Sequence, residues 1–262
     1  MKKIKIFQVD AFTSEIFAGN PAAVCPLDSW LPEKQMQSIA MENNLSETAF
    51  FVQNGKEFQL RWFTPVSEVK LCGHATLASA HVLFCHLGYQ KEKIVFSTKS
   101  GILKVKKFGS AYKMDFPVIR QKANKAPDEL IRALGQKPDE VYGADDYLVV
   151  FKNEAIVAGL KPDYSVLKKI PKRGVIVTAK GESCDFVSRF FVPKLGINED
   201  PVTGSAHCQL TPFWAERLGK TKLFARQISK RGGSIACEMK GERVFLDGRA
   251  ITFLQGDIYL KP

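Results

Sequence analysis

Short apolar runs, separated by glycine, proline and polar residues, recur along the whole chain. Runs of about four to eight residues rich in Val, Ile, Phe, Tyr and Thr are typical of β-strands. They predict strands over residues 3–12, 47–52, 58–64, 94–98, 102–106, 112–116, 147–151, 155–158, 174–178, 186–192, 234–238, 243–246 and 250–254. Many short strands with few helices favour an α+β fold over a wound parallel sheet.

Two helices are indicated by apolar periodicity and by the residues at their ends. Residues 32–43 have a proline in the first turn and an apolar face, and residues 127–134 end before Gly135, which is typical of a C-terminal cap. The polar, proline-ended stretch 124–127 is the predicted linker.

Two stretches of the chain share the same order and spacing of motifs. Arg-Trp-Phe-Thr-Pro at 61–65 is followed, after seven residues, by Gly-His-Ala at 73–75. Arg-Phe-Phe-Val-Pro at 189–193 is followed, after ten residues, by Gly-Ser-Ala at 204–206. In each case a Leu-Gly pair, at 87–88 or 218–219, ends fifteen residues after the first glycine. Each stretch predicts a strand, a turn, and a helix that begins at glycine and is closed by glycine, which favours a duplicated pair of α+β halves.

The two helices of this repeat are unusually apolar. Residues 74–87 carry apolar or small side chains on nearly every side, a pattern typical of a helix that is buried all round. Residues 205–218 are similar as far as Trp214 and become polar at Glu216 and Arg217. We therefore expect each half to wrap its strands around one central helix.

Composition excludes several classes of protein. Hydrophobic residues make up 45% and charged residues 25% of the 262 positions, which is ordinary for a globular chain of one large or two small domains. No apolar run reaches the roughly 18 residues of a membrane span, and the N-terminal apolar stretch is too short and interrupted for a signal peptide. We expect a cytoplasmic protein. Six irregularly spaced cysteines and four histidines without zinc-like spacing argue against a disulfide framework and a structural metal.

The net charge of +11 raises the question of nucleic-acid binding. The basic residues are spread out and match no recognition helix or RNA-binding motif, so a solvated basic surface is the preferred interpretation. Glycine-rich phosphate loops, the dinucleotide fingerprint, His-Glu-x-x-His and Gly-x-Ser-x-Gly are also missing from the sequence, which disfavours phosphoryl transfer, nicotinamide chemistry, zinc proteolysis and α/β-hydrolase chemistry.

Candidate chemistry gathers at the two glycine-led helix starts. Backbone N–H groups and the helix dipole favour an anion there, although two buried structural helices would have the same glycines. Asp200 lies four residues before the second glycine, His74 follows the first, and Glu47 precedes an apolar strand. These groups suit proton transfer next to a carboxylate. The alternatives are a surface charge for Glu47, a turn residue for Asp200 and a structural histidine for His74.

Several motifs together resemble the phenazine biosynthesis PhzF-like family. They are Asp-Ala-Phe at 10–12, Gly-Asn-Pro-Ala-Ala-Val at 19–24, Asn-Leu-Ser-Glu-Thr-Ala-Phe at 44–50, Arg-Trp-Phe-Thr-Pro at 61–65, Leu-Cys-Gly-His-Ala-Thr-Leu-Ala at 71–78, Asp-Pro-Val-Thr-Gly-Ser-Ala-His at 200–207 and Arg-Gly-Gly at 231–233. The resemblance implies a diaminopimelate epimerase-like fold with two pseudo-symmetric halves, each a curved, mostly antiparallel sheet around a central helix. The halves are expected at 1–120, completed by the strand near 250–262, and at 121–250, with the active site in the cleft between them.

The resemblance also implies an activity. The family's namesake isomerises trans-2,3-dihydro-3-hydroxyanthranilate by moving a proton between ring carbons, without cofactor or metal, and the family suggests a homodimer. By motif, Glu47 corresponds to the general acid/base and His74 and Asp200 to its polar partners. The expected substrate contacts are Gly73, Gly204, Ser205 and Asn20. We expect a small carboxylate-bearing substrate, an amino or hydroxy acid, and neither nucleic acid nor membrane as a partner.

Three other functions stay open at this point. Distant relatives that epimerise diaminopimelate use one cysteine at each helix start. Here Cys72 occupies the first such position, and the second falls in the Asp200–Pro201 region, which has no thiol. A racemase would therefore have to use Cys72 with Glu47 or Asp200. A binding protein without catalysis and a nucleic-acid-binding protein are the remaining alternatives.

Overall fold

Two groups of strands and helices make up residues 2–260, the part of the chain that the computed structural model describes. The first unit runs to Asp115 and resumes at Asp247, and the second unit is Phe116–Leu246. The predicted boundaries at 120 and 250 lie a few residues beyond the observed ones. The first boundary falls inside a strand rather than in the predicted linker at 124–127, where the backbone N–H of Asn124 bonds the carbonyl of Val141.

The elements of both units are numbered in chain order. The first unit contains β1 (Lys2–Ala11), β2 (Asn20–Leu27), α1 (Glu33–Asn43), β3 (Glu47–Asn54), β4 (Glu57–Phe63), β5 (Glu68–Val69), α2 (Gly73–Cys85), β6 (Lys93–Thr98), β7 (Gly101–Phe108), β8 (Ala111–Pro117) and β18 (Ala250–Leu260). The second unit contains β9 (Lys122–Ala123), α3 (Asp128–Leu134), β10 (Glu140–Gly143), β11 (Tyr147–Val150), α4 (Glu154–Gly159), α5 (Tyr164–Leu167), β12 (Val175–Lys180), β13 (Phe186–Phe191), a 3-10 turn (Pro193–Leu195), β14 (Glu199–Asp200), α6 (Gly204–Leu218), β15 (Lys222–Gln227), β16 (Gly233–Lys240) and β17 (Arg243–Gly248). The predicted α+β class is confirmed.

Strand pairing follows the same order in the two units. In the first unit, β1–β2 is antiparallel, β2–β3 parallel, β3–β4 and β4–β5 antiparallel, β4–β6 parallel and β6–β7 antiparallel. The series from β10 to β16 repeats these pairings in the second unit, strand for strand. In the first unit β18 also pairs antiparallel with β1, and in the second the short strand β9 pairs antiparallel with β10 in the same way. This shared topology is the structural counterpart of the repeat in the sequence.

Both units brace the turn before their central helix with the same ion pair. In the first, the guanidinium of Arg61 donates to both carboxylate oxygens of Glu68, at 2.8 and 2.7 Å. In the second, Arg189 does the same to Glu199, at 2.7 and 2.9 Å, and also donates to the carbonyl of Leu160 at 2.9 Å. Such forked bonds fix orientation as well as charge, so they hold the short strands β5 and β14 in place.

The central helices are enclosed as predicted. Residues 74–83 of α2 are all buried, and α2 packs against β1, β2, β3 and β18. Helix α6 is buried at Gly204 and from Ala206 to Ala215, and it becomes exposed at Glu216. Its internal Pro212 cannot bond the carbonyl of Cys208, and the backbone N–H of Ile119 takes that acceptor at 3.1 Å. Within residues 2–260, no helix is both long and apolar enough to cross a membrane.

The structure corrects two of the predicted elements. Residues 155–158 form helix α4 rather than a strand, because Asn153 caps it by accepting a hydrogen bond from the N–H of Ile156 at 3.0 Å. Helix α6 ends at its predicted glycine, Gly219, whereas α2 ends earlier, at Cys85. Strands β2, β10 and β15, the two-residue strands β5, β9 and β14, and helix α5 were not predicted.

The forked ion pair in the second unit should contribute more to the free energy of unfolding than an exposed ion pair does. Replacing Arg189 by Lys removes the fork and the bonds to nearby carbonyls, so we expect the free energy of unfolding to fall by about 1–3 kcal/mol. Urea denaturation measures the change. The matched control is Arg120→Lys, whose bond to Glu242 lies between side chains that are 59% and 73% exposed, and it should change stability little. Equal effects of the two variants would contradict this.

Stability should fall with acid because of His81. Burial, together with the positive charges of His86 and Lys107, lowers the pKa of His81 from 6.5 to about 4, and its ring nitrogens bond Tyr112 and Thr252 at 2.9 Å. The unfolded chain therefore takes up this proton first, and stability is lost as the pH falls from about 6.5 toward 4, by about 2 kcal/mol at pH 5. Urea unfolding at pH 7 and pH 5 should show a smaller difference for His81→Gln. An unchanged difference would rule His81 out as the cause.

Candidate active site

Glu47 is placed by the turn between α1 and β3. Helix α1 ends at Asn43, and Asn44 adopts the left-handed conformation (φ 48°) that turns the chain back. Glu47 is then the first residue of β3, beside Ala22 of the parallel strand β2. Its side chain is 18% exposed, so the carboxylate lies at the edge of the buried core rather than in open solvent. The alternative of an ordinary surface charge does not describe this position.

His74 and Cys72 belong to the start of α2. The helix begins at Gly73, and Cys72 precedes it with an extended backbone. The imidazole of His74 is buried, and its Nε2 lies 3.0 Å from Oε2 of Glu47, an ion-pair distance without the alignment of a hydrogen bond. On the other side of the ring, Nδ1 lies 3.5 Å from Sγ of Cys72. The helix start thus brings a carboxylate, an imidazole and a thiol together.

Asn20 completes this group. Its Nδ2 lies 3.1 Å from Nδ1 of His74, and the residue is fully buried at the start of β2. The preceding Gly19 has a φ of +65°, and a Cβ there would lie 2.2 Å from the carbonyl oxygen of Ala11. Only glycine fits, so this close approach of the backbone carries Asn20 to the histidine.

The charges in this group are coupled. Burial and, less strongly, the charge of Glu47 raise the pKa of Cys72 to about 11, so Cys72 is a neutral thiol at pH 7. Burial lowers the pKa of His74, but the neighbouring Cys72 and Glu47 outweigh it and the pKa lies well above 6.5. The carboxylate of Glu47, 3.0 Å from Nε2, contributes to this rise.

In the second unit, the loop before α6 is held by hydrogen bonds. The hydroxyl of Thr203 donates to the carboxylate of Asp200 at 2.5 Å. The side chain of Gln227 accepts from the N–H of Thr203 and donates to the carbonyl of Asp200, both at 2.8 Å. The alternative of a plain turn residue for Asp200 does not describe this largely buried carboxylate, which is locked to the start of α6.

Ser205 lies in the first turn of α6 beside an ion pair whose carboxylate is buried and whose guanidinium is partly exposed. Arg173 donates to both oxygens of Asp146, at 2.9 and 2.5 Å, and to the hydroxyl oxygen of Ser205 at 3.3 Å. Asp146 is fully buried and also accepts from Gln209 at 3.2 Å. Because Ser205 accepts from Arg173, its own proton is available for another acceptor.

The equivalent positions of the repeat carry different chemistry. Arg61 pairs with Phe50, and Arg189 pairs with Val177. Counting back three residues from Phe50 and from Val177 gives Glu47 and Gly174, which are therefore equivalent positions. Likewise, Cys72 precedes the central helix of the first unit and Thr203 precedes that of the second. The position equivalent to Cys72 was predicted in the Asp200–Pro201 region. In the structure Thr203 takes that position, and Asp200 lies three residues earlier.

The sequence predicted Glu47, His74 and Asp200 as one catalytic group, with Gly73, Gly204, Ser205 and Asn20 as substrate contacts. The structure brings Glu47, His74 and Asn20 into contact in the first unit and places Asp200 and Ser205 at the start of α6 in the second. Arg173, Asp146 and Gln227 were not predicted.

The sequence carried no signal for Arg173, because aligning the repeat on Arg61 and Arg189 sets Gly174–Val175 against Ser46–Glu47. Only the strand pairing sets Arg173 against Ser46. Nothing in the sequence marks Gln227 either, because its role depends on the pairing of β15. Among the described residues, Glu47, Cys72 and His74 are also a possible metal-binding set, with ligand atoms within 4.8 Å of one another.

Comparisons with known proteins identify relatives of similar sequence and fold. An uncharacterized isomerase of Pseudomonas aeruginosa is 52% identical over 98% of this chain and 100% of its own length. The crystal structure of a phenazine biosynthesis protein of the PhzF family from Enterococcus faecalis, 51% identical, has a TM-score of 0.97 over 99% of this chain and 100% of that one. A hydroxyproline epimerase from Agrobacterium vitis, at 9% identity and a TM-score of 0.61 over 98% and 92% of the two chains, shares the fold alone.

Residues 9–256 match the phenazine biosynthesis-like protein family, PhzC-PhzF. The match covers nearly the whole chain, and it includes both helix starts and the strand that begins with Glu47. The resemblance seen in the sequence motifs is confirmed, and the chain belongs to the phenazine biosynthesis-like PhzC-PhzF family.

Proposed function

We propose that this protein is a cofactor-independent isomerase in which Glu47 moves a proton on a small carboxylate-bearing substrate, an amino or hydroxy acid. The observation that carries the proposal is the contact of Glu47 with a buried His74, at 3.0 Å, beside the start of α2. Isomerase is also how several relatives at about half identity are described.

The charge state of the pair suits a base that must also become an acid. An imidazolium at 3.0 Å stabilises the carboxylate of Glu47, which can accept a proton from an acidic C–H bond. Once Glu47 is protonated, the ion pair is lost, and return of the proton to another carbon restores it. The same side chain can therefore serve in both half-reactions.

A single acid/base is supported by the repeat. Gly174 stands at the position equivalent to Glu47, and Thr203 at the position equivalent to Cys72. Neither residue titrates near neutral pH. Inversion at a stereocentre needs a base on each face, whereas moving a proton between two carbons of one face needs only one. This favours an isomerase over a racemase.

Anion-binding groups support a carboxylate in the substrate. Backbone N–H groups at the start of α2 and α6 favour negative charge, and α6 adds the Ser205 hydroxyl with Arg173 behind it. In this proposal Asp200 acts through Thr203, by fixing the loop that leads into α6.

Glu47→Gln should abolish proton transfer. The variant keeps the size of the side chain but cannot take up a proton, so we expect a loss of at least about 100-fold. Proton NMR in D₂O would follow deuterium uptake and isomerisation of trans-2,3-dihydro-3-hydroxyanthranilate and a panel of cyclic and unsaturated amino and hydroxy acids. The matched control is Glu57→Gln, on the exposed start of β4, which should react like the wild type. Full turnover by Glu47→Gln on any compound would refute the mechanism.

The racemase alternative is distinguished by Cys72. Cys72 is in contact with His74, but as a neutral thiol it is a poor base. We expect Cys72→Ser to reduce turnover by no more than about tenfold, through the altered contact to His74, and deuterium to appear at the new C–H position. The racemase would be established instead by a loss of turnover as severe as in Glu47→Gln, together with deuterium at a stereocentre that remains in the product with inverted configuration.

A further inference from the structure

The group at the start of α2 contains three different kinds of metal ligand. Nε2 of His74 lies 3.0 Å from Oε2 of Glu47 and 3.9 Å from Sγ of Cys72, and all three ligand atoms lie within 4.8 Å of one another. Oε2 of Glu47 is itself a buried oxygen without an aligned hydrogen-bond donor in the described chain. Its positively charged neighbour is the imidazole of His74, and a metal ion bound to both side chains would take over that role.

These separations are close to those of a zinc site. With zinc bonds of about 2.0–2.3 Å in tetrahedral geometry, ligand atoms lie roughly 3.3–3.8 Å apart. The observed 3.0 and 3.9 Å differ from this range by a few tenths of an ångström. The third pair, the Glu47 oxygen and Sγ of Cys72, lies within 4.8 Å, so a side-chain rotation has to bring the thiol closer to the carboxylate. Thiolate and imidazole together select Zn²⁺ over Mg²⁺ and Ca²⁺, which prefer oxygen.

The surroundings fit a metal-bound histidine. When Nε2 of such a histidine binds the metal, the other ring nitrogen is normally held by a hydrogen-bonding neighbour, which fixes the ring. Here the buried side-chain amide of Asn20 lies 3.1 Å from Nδ1 through its Nδ2. With the metal on Nε2 and the proton on Nδ1, this amide would turn its Oδ1 toward the ring to accept that proton. Both Cys72 and His74 are largely shielded from water, which strengthens their bonds to a cation.

We propose that Glu47, Cys72 and His74 form a three-ligand site for Zn²⁺, with a fourth coordination position open to water or a small molecule. Binding forms bonds from Oε2, Sγ and Nε2 to the ion. The thiol of Cys72 and the Nε2–H of His74 each release a proton to solvent, and nothing is oxidised or reduced. Since a metal-bound Glu47 cannot carry a proton, Zn²⁺ inhibits the isomerase proposed above.

Cobalt(II) is the probe, because it takes the place of zinc and absorbs visible light. Titrating the full chain with Co²⁺ should produce the intense bands of a four-coordinate ion and a thiolate-to-cobalt charge-transfer band, and Zn²⁺ should abolish both. Cys72→Ser should remove the charge-transfer band, and Glu47→Gln should weaken Co²⁺ binding by at least about tenfold. Circular dichroism and thermal unfolding establish that each variant is folded.

The chain offers a matched control in a second thiol–imidazole pair. Sγ of Cys85 lies 3.7 Å from Nδ1 of His81, and Cys85 is exposed. Cys85→Ser should leave the cobalt spectrum unchanged. Loss of the bands in Cys85→Ser but not in Cys72→Ser, or a wild-type spectrum of six-coordinate cobalt, would overturn the proposal. No substrate enters this test, so its failure leaves the isomerase untouched, and failure of proton exchange leaves the zinc site untouched.

Discussion

A helix without a polar face has to be enclosed by the rest of its unit, and α2 is such a helix. Burying residues 74–83 requires strands around them, which is what β1, β2, β3 and β18 provide. The backbone N–H groups of the first turn cannot be satisfied within the helix. Glu47, Cys72 and Asn20 also meet the His74 ring at that end of the helix. The site is a consequence of how the core is closed.

The repeat retains what the fold needs and varies what the chemistry needs. The forked Arg–Glu pair, the strand order and the glycine that begins the central helix occur in both units. The remaining positions differ: Glu47 against Gly174, and His74 against Ser205. In each unit the forked ion pair holds a two-residue strand in place in front of the buried helix. The reaction proposed above needs one acid/base, and beside Gly174 the second unit instead carries the ion pair between Arg173 and the buried Asp146.

Much of this could be predicted, and the exceptions have physical reasons. The repeat, the buried helices and the group around Glu47 were accessible because they depend on motifs at fixed spacing. Residues 155–158 were predicted wrongly because β-branched composition was weighed above the cap at Asn153. Arg173 and Gln227 were missed because each acts on a residue more than twenty positions away, at Ser205 and Thr203, through strand pairing that a local pattern does not encode.

Gly174 also limits how this scaffold could be redesigned. A Cβ at that position would lie 2.6 Å from Cγ1 of Val192 and 2.9 Å from the backbone oxygen of Phe191. An engineer who wished to give the second unit its own acid/base could not do so by a single exchange there, since β13 itself would have to move. Steric crowding at Gly174 thus makes it hard to place a second copy of the proposed acid/base in the second unit, by laboratory evolution as much as by natural drift.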